Sequence, residues 1–100
     1  MVLPDDPIVL ELLPEFVETW IQDLDNFYIY KKNNDFNELY RMAHTIKGSC
    51  YQFGINDLGD MGIELMTYAK ESDWEKSSLL FDKIKARFAE INDYIKNNIN

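Results

Sequence analysis

Apolar residues recur along this chain at spacings of three and four, the period of a helix with one buried face. The clearest run lies in the middle of the chain, and we call it the apolar seam. Its members are Phe36, Leu39, Ala43, Ile46, Cys50 and Phe53. Alternation of apolar and polar residues, which would indicate strands, is absent from the sequence. The pattern therefore predicts amphipathic helices that pack against one another.

The first of four predicted helices runs from Ile8 or Leu12 to Lys32, with Pro14 tolerated near its start. Its buried face is predicted to contain Leu13, Phe16, Val17, Trp20, Leu24 and Phe27. Lysines fall in its last turn, where cations suit the helix dipole.

The second predicted helix contains the apolar seam. Asp35 and Glu38 have the spacing of a capping box, which indicates that the helix begins there. Gly54 stands where a glycine usually terminates a helix. These signals predict a helix that begins near Asp35 and ends at Gly54.

Two further helices complete the pattern. Asn56 or Asp57 can cap a shorter third helix, and Ser72-Asp73-Trp74-Glu75 resembles a second capping box at the start of the fourth. The apolar positions of the third helix are Leu58, Met61, Leu65 and Met66 or Ala69. Those of the fourth are Trp74, Phe81, Ile84, Phe88, Ile91 and Ile95.

Four amphipathic helices with short connections predict an all-α fold, an antiparallel up-down four-helix bundle. The pattern leaves room for a short extra helix at the N-terminus. A chain of 100 residues is large enough for one hydrophobic core and too small for two, so we expect a single domain over residues 1–100. A closed bundle needs no second copy to cover its core, and a monomer is expected.

The net charge of −8 argues against nucleic acid and anionic membranes as partners, since both are bound by clustered Lys and Arg. The charge is unevenly distributed. Residues 1–34 carry seven acids and two bases, a sum of −5, and residues 54–100 carry nine and six, a sum of −3. Residues 35–53 carry two of each and sum to zero. The least acidic stretch is the one that contains the only histidine.

The residue types and apolar runs of the chain argue against a disulfide, a metal site, a signal peptide and a membrane span. One cysteine, Cys50, permits no internal disulfide and supplies no metal framework. The N-terminal residues lack the basic segment and long apolar run of a signal peptide, and no run of 18 apolar residues could span a bilayer. We expect a cytoplasmic protein without a metal or cofactor.

The single histidine, His44, is predicted to lie outside the core. At about 100° per residue, with Phe36 at zero, the seam occupies roughly 260–360° and His44 falls near 80°. It shares a stripe with Tyr40, Arg41, Lys47, Gly48 and Tyr51, which we call the His44 stripe. An imidazole that is neutral near pH 7 is a competent nucleophile.

Gly48 is the member of the stripe that a purely structural explanation fits least well. A glycine inside a helix costs roughly 0.8–1 kcal/mol relative to alanine. It faces outward in the predicted helix, so its missing side chain is more useful to an approaching partner than to internal packing. A lone surface histidine with a lysine three residues later is common, and those two residues alone would carry little weight.

The residues around His44 resemble the signature of histidine-containing phosphotransfer (HPt) domains. The match consists of His44-x-x-Lys47-Gly48-Ser49-Cys50-x-x-Phe53-Gly54, with Ala43 before it and Leu58 after it. The motif covers about fifteen residues, while the length and four-helix layout extend the likeness to the whole chain. A bare H-x-x-K-G would be weak, but with the trailing serine and the hydrophobic-glycine pair the motif is specific.

The resemblance implies a phosphorelay intermediate and not an enzyme in its own right. His44 would accept and donate the phosphoryl group through the ring nitrogen distal to the backbone, and Lys47 would offset the charge on the phosphoryl oxygens. Gly48 would let a response-regulator receiver domain approach. Partners would be receiver domains and, as a further candidate, a hybrid sensor histidine kinase. The receiver would supply Mg²⁺ and most catalytic groups.

Three other residues of the stripe are candidate partner-binding residues. Arg41, Tyr40 and Tyr51 surround His44 in the predicted helix. For the two tyrosines, half-buried packing beside the seam is the simpler interpretation. Cys50 is expected to be a small core residue without reactivity.

The sequence departs from the HPt pattern in the third predicted helix. Many members have a Leu-Glu pair late in that helix, where this chain has Leu65-Met66, and Glu64 comes two residues too early. In the chemotaxis-kinase type of HPt domain an acid from this region orients the histidine. That subtype is therefore disfavoured, and the group that orients the ring of His44 is left open.

Three other functional classes compete with the phosphorelay interpretation. A helical interaction module that binds signalling domains without chemistry fits the same fold and would leave His44 dispensable. A di-iron bundle needs Glu-x-x-His pairs from two helices, which one histidine cannot supply. An ordinary hydrolase is poorly supported, because no nucleophile motif or second histidine accompanies His44.

Overall fold

Helices joined by short turns make up residues 4–98, the part of the chain that the computed structural model describes. They are α1 (Pro7–Asp23), α2 (Asn26–Lys32), α3 (Phe36–Gln52), α4 (Asn56–Lys70) and α5 (Trp74–Asn98). α2 continues α1 after a bend, so the predicted all-α bundle of four helices is confirmed. Residues 1–3 and 99–100 of the predicted domain lie outside the described range.

The first helix differs from its prediction at its start and at its centre. It begins at Pro7, where the Asp6 carboxylate accepts a hydrogen bond from the amide of Ile8 at 2.9 Å. Pro14 is consequently an interior residue of α1. No separate short helix precedes α1 within residues 4–98.

The bend between α1 and α2 results from a locally tighter helix at Leu24 and Asp25. The amides of Asp25 and Phe27 bond three residues back, to the carbonyls of Gln22 and Leu24, at 3.4 and 3.0 Å. Such i→i−3 bonds are the 3₁₀ pattern. The tightened turn keeps both Leu24 and Phe27 on the core, where each is 1% exposed.

The turns that follow α2, α3 and α4 share the same backbone conformation. Asn34, Gly54 and Ser72 each take a left-handed conformation, with φ of 53°, 77° and 55°. In each turn the next amide bonds the carbonyl five residues back, as Ile55 does with Cys50 at 2.9 Å. This is the Schellman motif, in which glycine is the usual left-handed residue. Gly54 was predicted to end its helix, and this is confirmed.

The predicted N-terminal cap is confirmed for α3, whereas α4 and α5 are capped at other residues than predicted. The Asp35 carboxylate caps α3 by accepting from the amide of Glu38 at 3.1 Å. At α4 the capping position belongs to Ile55, which has no side-chain bond, so neither Asn56 nor Asp57 is the cap.

The fourth predicted helix is capped one residue later than its sequence motif suggests. Ser72 is the left-handed residue of the preceding turn, which removes it from the capping position. Asp73 takes over and accepts from the amide of Lys76 at 2.9 Å. A Ser-Asp pair offers two capping residues in a row, and the turn decides between them.

The hydrophobic core lies at the centre of a closed ring of four helices, in which α1 and α2 count as one bent helix. α5 packs against α1 and α4, α4 packs along α3, and α3 contacts α2. Every predicted apolar position is buried or half-buried. The exposed large apolar residues of the described range lie outside these faces, and Ile8 and Leu12 on α1 are two of them. Among residues 4–98, no helix combines the length and apolarity needed to cross a membrane.

Ser77 is the one buried polar residue of the described core, and it generates a stability prediction. Its side chain is 0% exposed, and its hydroxyl has no hydrogen-bond partner within residues 4–98. A buried hydroxyl without a partner is destabilising by roughly 1–3 kcal/mol. Ser77→Ala should therefore raise the free energy of unfolding by about 1 kcal/mol, measured by urea denaturation.

Ser78→Ala is the matched control for that variant. The Ser78 hydroxyl accepts a hydrogen bond from Lys31 Nζ at 2.9 Å, so its removal forfeits a contact. Its effect should be smaller than that of Ser77→Ala, or of opposite sign. A loss of stability in Ser77→Ala would show that the hydroxyl contributes to packing in spite of its missing partner.

Candidate functional site

α3 holds His44 in the middle of a well-anchored helix. The neighbouring seam residues Ala43, Ile46 and Cys50 are each 0% exposed, so the core fixes the rotation of the helix. His44 is exposed, as its place outside the seam predicts. An imidazole held in this way presents its ring to a partner with little freedom in the backbone beneath it.

The surface one turn beyond His44 is open. Gly48 is exposed, and a Cβ placed on it would meet nothing within 4 Å. No helix within residues 4–98 therefore requires a glycine at this position. The structure supports the prediction that the missing side chain faces outward, and it leaves room for another surface beside His44.

Two glycines that sequence reasoning missed bring α4 against the back of the same site. A Cβ on Gly62 would lie 2.7 Å from the amide nitrogen of Lys47 and 3.0 Å from the carbonyl oxygen of Ala43. A Cβ on Gly59 would overlap the ring of Tyr51. Both glycines are buried. At Gly62, α4 lies directly on the backbone of α3 between Ala43 and Lys47, and at Gly59 it lies against the Tyr51 ring.

The sequence does contain a signal for this contact. Gly59 and Gly62 share one face of a helix, and two interior glycines together cost about 2 kcal/mol in helix propensity. This loss in helix propensity is offset where the glycines allow two helix backbones to pack closely. The pattern would identify α4 as the close neighbour of some helix, though it does not say which.

Lys47 follows His44 on the α4 side of α3. Lys47 is half-buried because Gly62 of α4 packs against its backbone. Within residues 4–98 its ammonium forms no salt bridge. Its charge is therefore not neutralised by a carboxylate in this part of the chain.

Arg41, in contrast, already has an anionic partner. Its guanidinium lies 3.2 Å from the Glu38 carboxylate, one turn earlier on α3. The Arg41 side chain is 76% exposed, so this pair is worth little and can exchange for another partner. Glu38 does not complete the predicted capping box, because the amide of Asp35, which would have to donate to it, donates to the carbonyl of Tyr30 at 2.8 Å.

Tyr40 is half-buried and forms the wall of an open groove beside the histidine. The groove is lined by Asn37, Tyr40, Arg41 and His44. On its other side the Tyr40 ring meets α4, where Lys70 Nζ lies 5.3 Å from the ring centroid. Neither Asn37 nor Lys70 was among the predicted site residues.

Tyr51 packs on α4 at the opposite end of the stripe. Its hydroxyl donates to the Asp60 carboxylate at 2.5 Å, and its ring covers Gly59. The hydrogen bond to Asp60 raises the pKa of the Tyr51 hydroxyl, with desolvation adding to the shift. The interpretation of half-buried packing holds for Tyr40, whereas Tyr51 is exposed, at 37%, although its ring lies on Gly59.

No carboxylate from α4 was found to bond the imidazole. Glu64 accepts a hydrogen bond from the Tyr68 hydroxyl at 2.7 Å, within its own helix. Met66, which stands where many HPt domains have glutamate, is half-buried. Within residues 4–98 His44 makes no hydrogen bond through its side chain, which suits a ring that is free to meet a partner.

Cys50 lies on the buried side of α3 and takes no part in the site. It is 0% exposed, and burial raises the pKa of its thiol to about 12. A thiol with so high a pKa carries almost no thiolate near neutral pH and is unreactive. The expectation that Cys50 is a core residue is confirmed.

The site thus consists of an exposed imidazole, an open surface one turn later and cations on both sides. Within residues 4–98 His44 lines an open groove, which would not enclose a small substrate and exclude water. The arrangement suits reaction with an electrophile that a second macromolecule brings, since that macromolecule can supply the missing walls.

Comparison with known proteins identifies a family. Residues 9–95, 87 of the 100 residues, match the family model described as the Hpt domain. Neither a comparison with curated proteins nor one with solved structures gave a significant match. The matched range includes α3 and α4 in full, together with His44 and both glycines that pack under it.

Alanine substitutions at Gly48 and Gly62 should change the stability of the protein in opposite directions. Gly48→Ala should raise the free energy of unfolding by roughly 0.5–1 kcal/mol, because alanine favours the helix and its Cβ meets open space. Gly62→Ala should lower it by about 1–2 kcal/mol, since the new Cβ would press on the backbone of α3. Urea denaturation of both variants measures the difference. Equal effects of the two substitutions would contradict the close contact of α3 and α4.

Proposed function

Because the chain belongs to the Hpt domain family, whose members are phosphotransfer carriers of two-component signalling, we propose that it is a relay intermediate. His44 accepts a phosphoryl group from the aspartyl phosphate of one receiver domain and passes it to the aspartate of another. The observation that carries the proposal is the exposed His44 beside the open surface at Gly48.

The chemistry consists mainly of positioning and charge stabilisation. The lone pair of the distal imidazole nitrogen forms the N–P bond as the P–O bond to the receiver aspartate breaks and returns a carboxylate. Lys47 offsets the negative charge on the phosphoryl oxygens. The phosphoramidate is comparable in energy with the aspartyl phosphate, so the step runs in both directions.

The partner supplies what this surface lacks. In this proposal the divalent metal and most catalytic groups belong to the receiver, which closes over His44 and excludes water. Gly48 allows the close approach, while Arg41, Tyr40 and Tyr51 contact the docked domain. We propose a monomer that acts in the cytoplasm, with receiver domains, and a hybrid sensor kinase where one is present, as its partners.

Replacement of the histidine tests the function directly. His44→Gln should abolish transfer from a phosphorylated receiver in the presence of Mg²⁺, while circular dichroism and thermal unfolding stay close to wild type, because the position is exposed. The label on wild type should be acid-labile and alkali-stable. Labelled His44→Gln would contradict the assignment, and absence of label on wild type with several receivers would favour the non-catalytic interaction module.

The glycine is tested by adding a side chain where the partner is proposed to approach. Gly48→Gln should stabilise the helix by roughly 0.5–1 kcal/mol and yet slow transfer at least tenfold, because the new side chain obstructs docking. Ala86→Gln, an exposed position on α5, is the matched control and should transfer normally. Normal transfer by Gly48→Gln would show that the open surface is not used.

A further inference from the structure

We propose that Lys70, at the end of α4, is a second cation for the phosphoryl group on His44, and that the Tyr40 ring holds it in place until the group arrives. This inference rests on the proposed function and deepens it, because it assigns a charge contact to the same site. Lys70 would contact the phosphoryl group directly, from a different helix than the histidine.

Lys70 is a cation whose present contact is an aromatic ring. Its Nζ lies 5.3 Å from the centroid of the Tyr40 ring, and the residue is exposed. Within residues 4–98 it forms no salt bridge. A cation over a ring at an exposed site is held weakly, so a phosphoryl group with its larger negative charge would attract it more strongly.

Tyr40 links Lys70 to the histidine. One groove on this surface is lined by His44, Arg41, Tyr40 and Asn37, and a second by Lys70, Tyr40 and Asn37 among others. The two grooves therefore share the walls formed by Tyr40 and Asn37. Tyr40 precedes His44 by one helical turn, a rise of about 6 Å along α3. The long flexible stem of a lysine suits movement across such a distance.

Two other cations lie near His44. Lys47 follows the histidine by one turn of α3, whereas Tyr40 precedes it by one turn. Arg41 is engaged with the Glu38 carboxylate at 3.2 Å. A phosphoryl group on His44 would thus lie between Lys47 on one side and Lys70 on the other, with Arg41 available only after it leaves Glu38.

A cation in this place should prolong the life of the phosphohistidine. The N–P bond breaks more readily when the ring is protonated, since neutral imidazole is then the leaving group and water takes the phosphoryl group. A nearby ammonium disfavours that protonation, because a second positive charge close to the ring raises the energy of the charged form. Loss of Lys70 should therefore speed hydrolysis without any change in fold.

The test labels His44 with phosphoramidate, a small phosphoryl donor that requires no receiver, and follows the decay of the phosphohistidine by ³¹P NMR. In low salt, Lys70→Ala should shorten the half-life about two- to fivefold, the range expected of an exposed charge contact. The difference should shrink at about 1 M salt, where the Debye length is only about 3 Å. Lys70→Arg should restore most of the half-life.

Lys76→Ala is the matched control. Lys76 Nζ lies over the Tyr68 ring at 5.8 Å, a contact of the same kind that involves neither α3 nor His44. Its half-life should equal that of wild type. If Lys70→Ala also matches wild type, the proposal for Lys70 is wrong while the role of His44 stands.

Two further outcomes separate the proposal from its alternatives. A salt-independent change in Lys70→Ala, accompanied by a lower melting temperature, would assign Lys70 a structural role and overturn the proposal. A wild-type protein that takes label neither from phosphoramidate nor from receivers would contradict the proposed function itself.

Discussion

The contact between the backbones of α3 and α4 at Gly62 is the constraint on which the site depends. A methyl group at this position would come within 2.7 Å of the amide nitrogen of Lys47, so the two helices can lie this close only because α4 has no side chain there. The contact supports α3 from behind at the level of Ala43 and Lys47, the residues that flank His44. Rigid support for a reacting side chain is what phosphoryl transfer requires when positioning supplies most of the rate.

The exposed glycine of α3 and the two buried glycines of α4 have complementary roles. Gly62 and Gly59 let α4 approach α3, and Gly48 leaves the outer surface of α3 empty. The same residue type thus closes the inner side of the site and opens the outer side. Helix propensity opposes all three, which explains why the stability of α3 and α4 must come from the core and not from their local sequence.

The sequence predicted the helices and their buried faces because the 3.6-residue period is a local property that burial imposes on every amphipathic helix. It also predicted the exposure of His44 and Gly48, since the apolar seam sets the rotation of α3. The bend at Leu24–Asp25 was not predictable in this way, because no proline or glycine marks it. The cap at Asp73 depends on which residue of the turn takes a positive φ, and Ser72 and Asp73 both cap helices well.

The sequence did not predict which helices contact one another or which residues meet between them. Gly62 contacts Lys47, and Lys70 contacts the Tyr40 ring, across pairs of positions that no periodicity connects. Which helix lies beside α3, and in which register, follows from the packing of the whole bundle. The Lys70 side of the site therefore became visible only with the fold, whereas the motif around His44 was readable from the chain alone.

The central claim is that the imidazole of His44 carries the phosphoryl group. The most direct measurement is ³¹P–¹⁵N NMR correlation on isotopically labelled protein after reaction with a phosphorylated receiver domain. The account predicts one phosphorus signal coupled to the distal ring nitrogen of His44. A phosphorus signal coupled to no histidine nitrogen, with the protein folded and the receiver dephosphorylated, would contradict it.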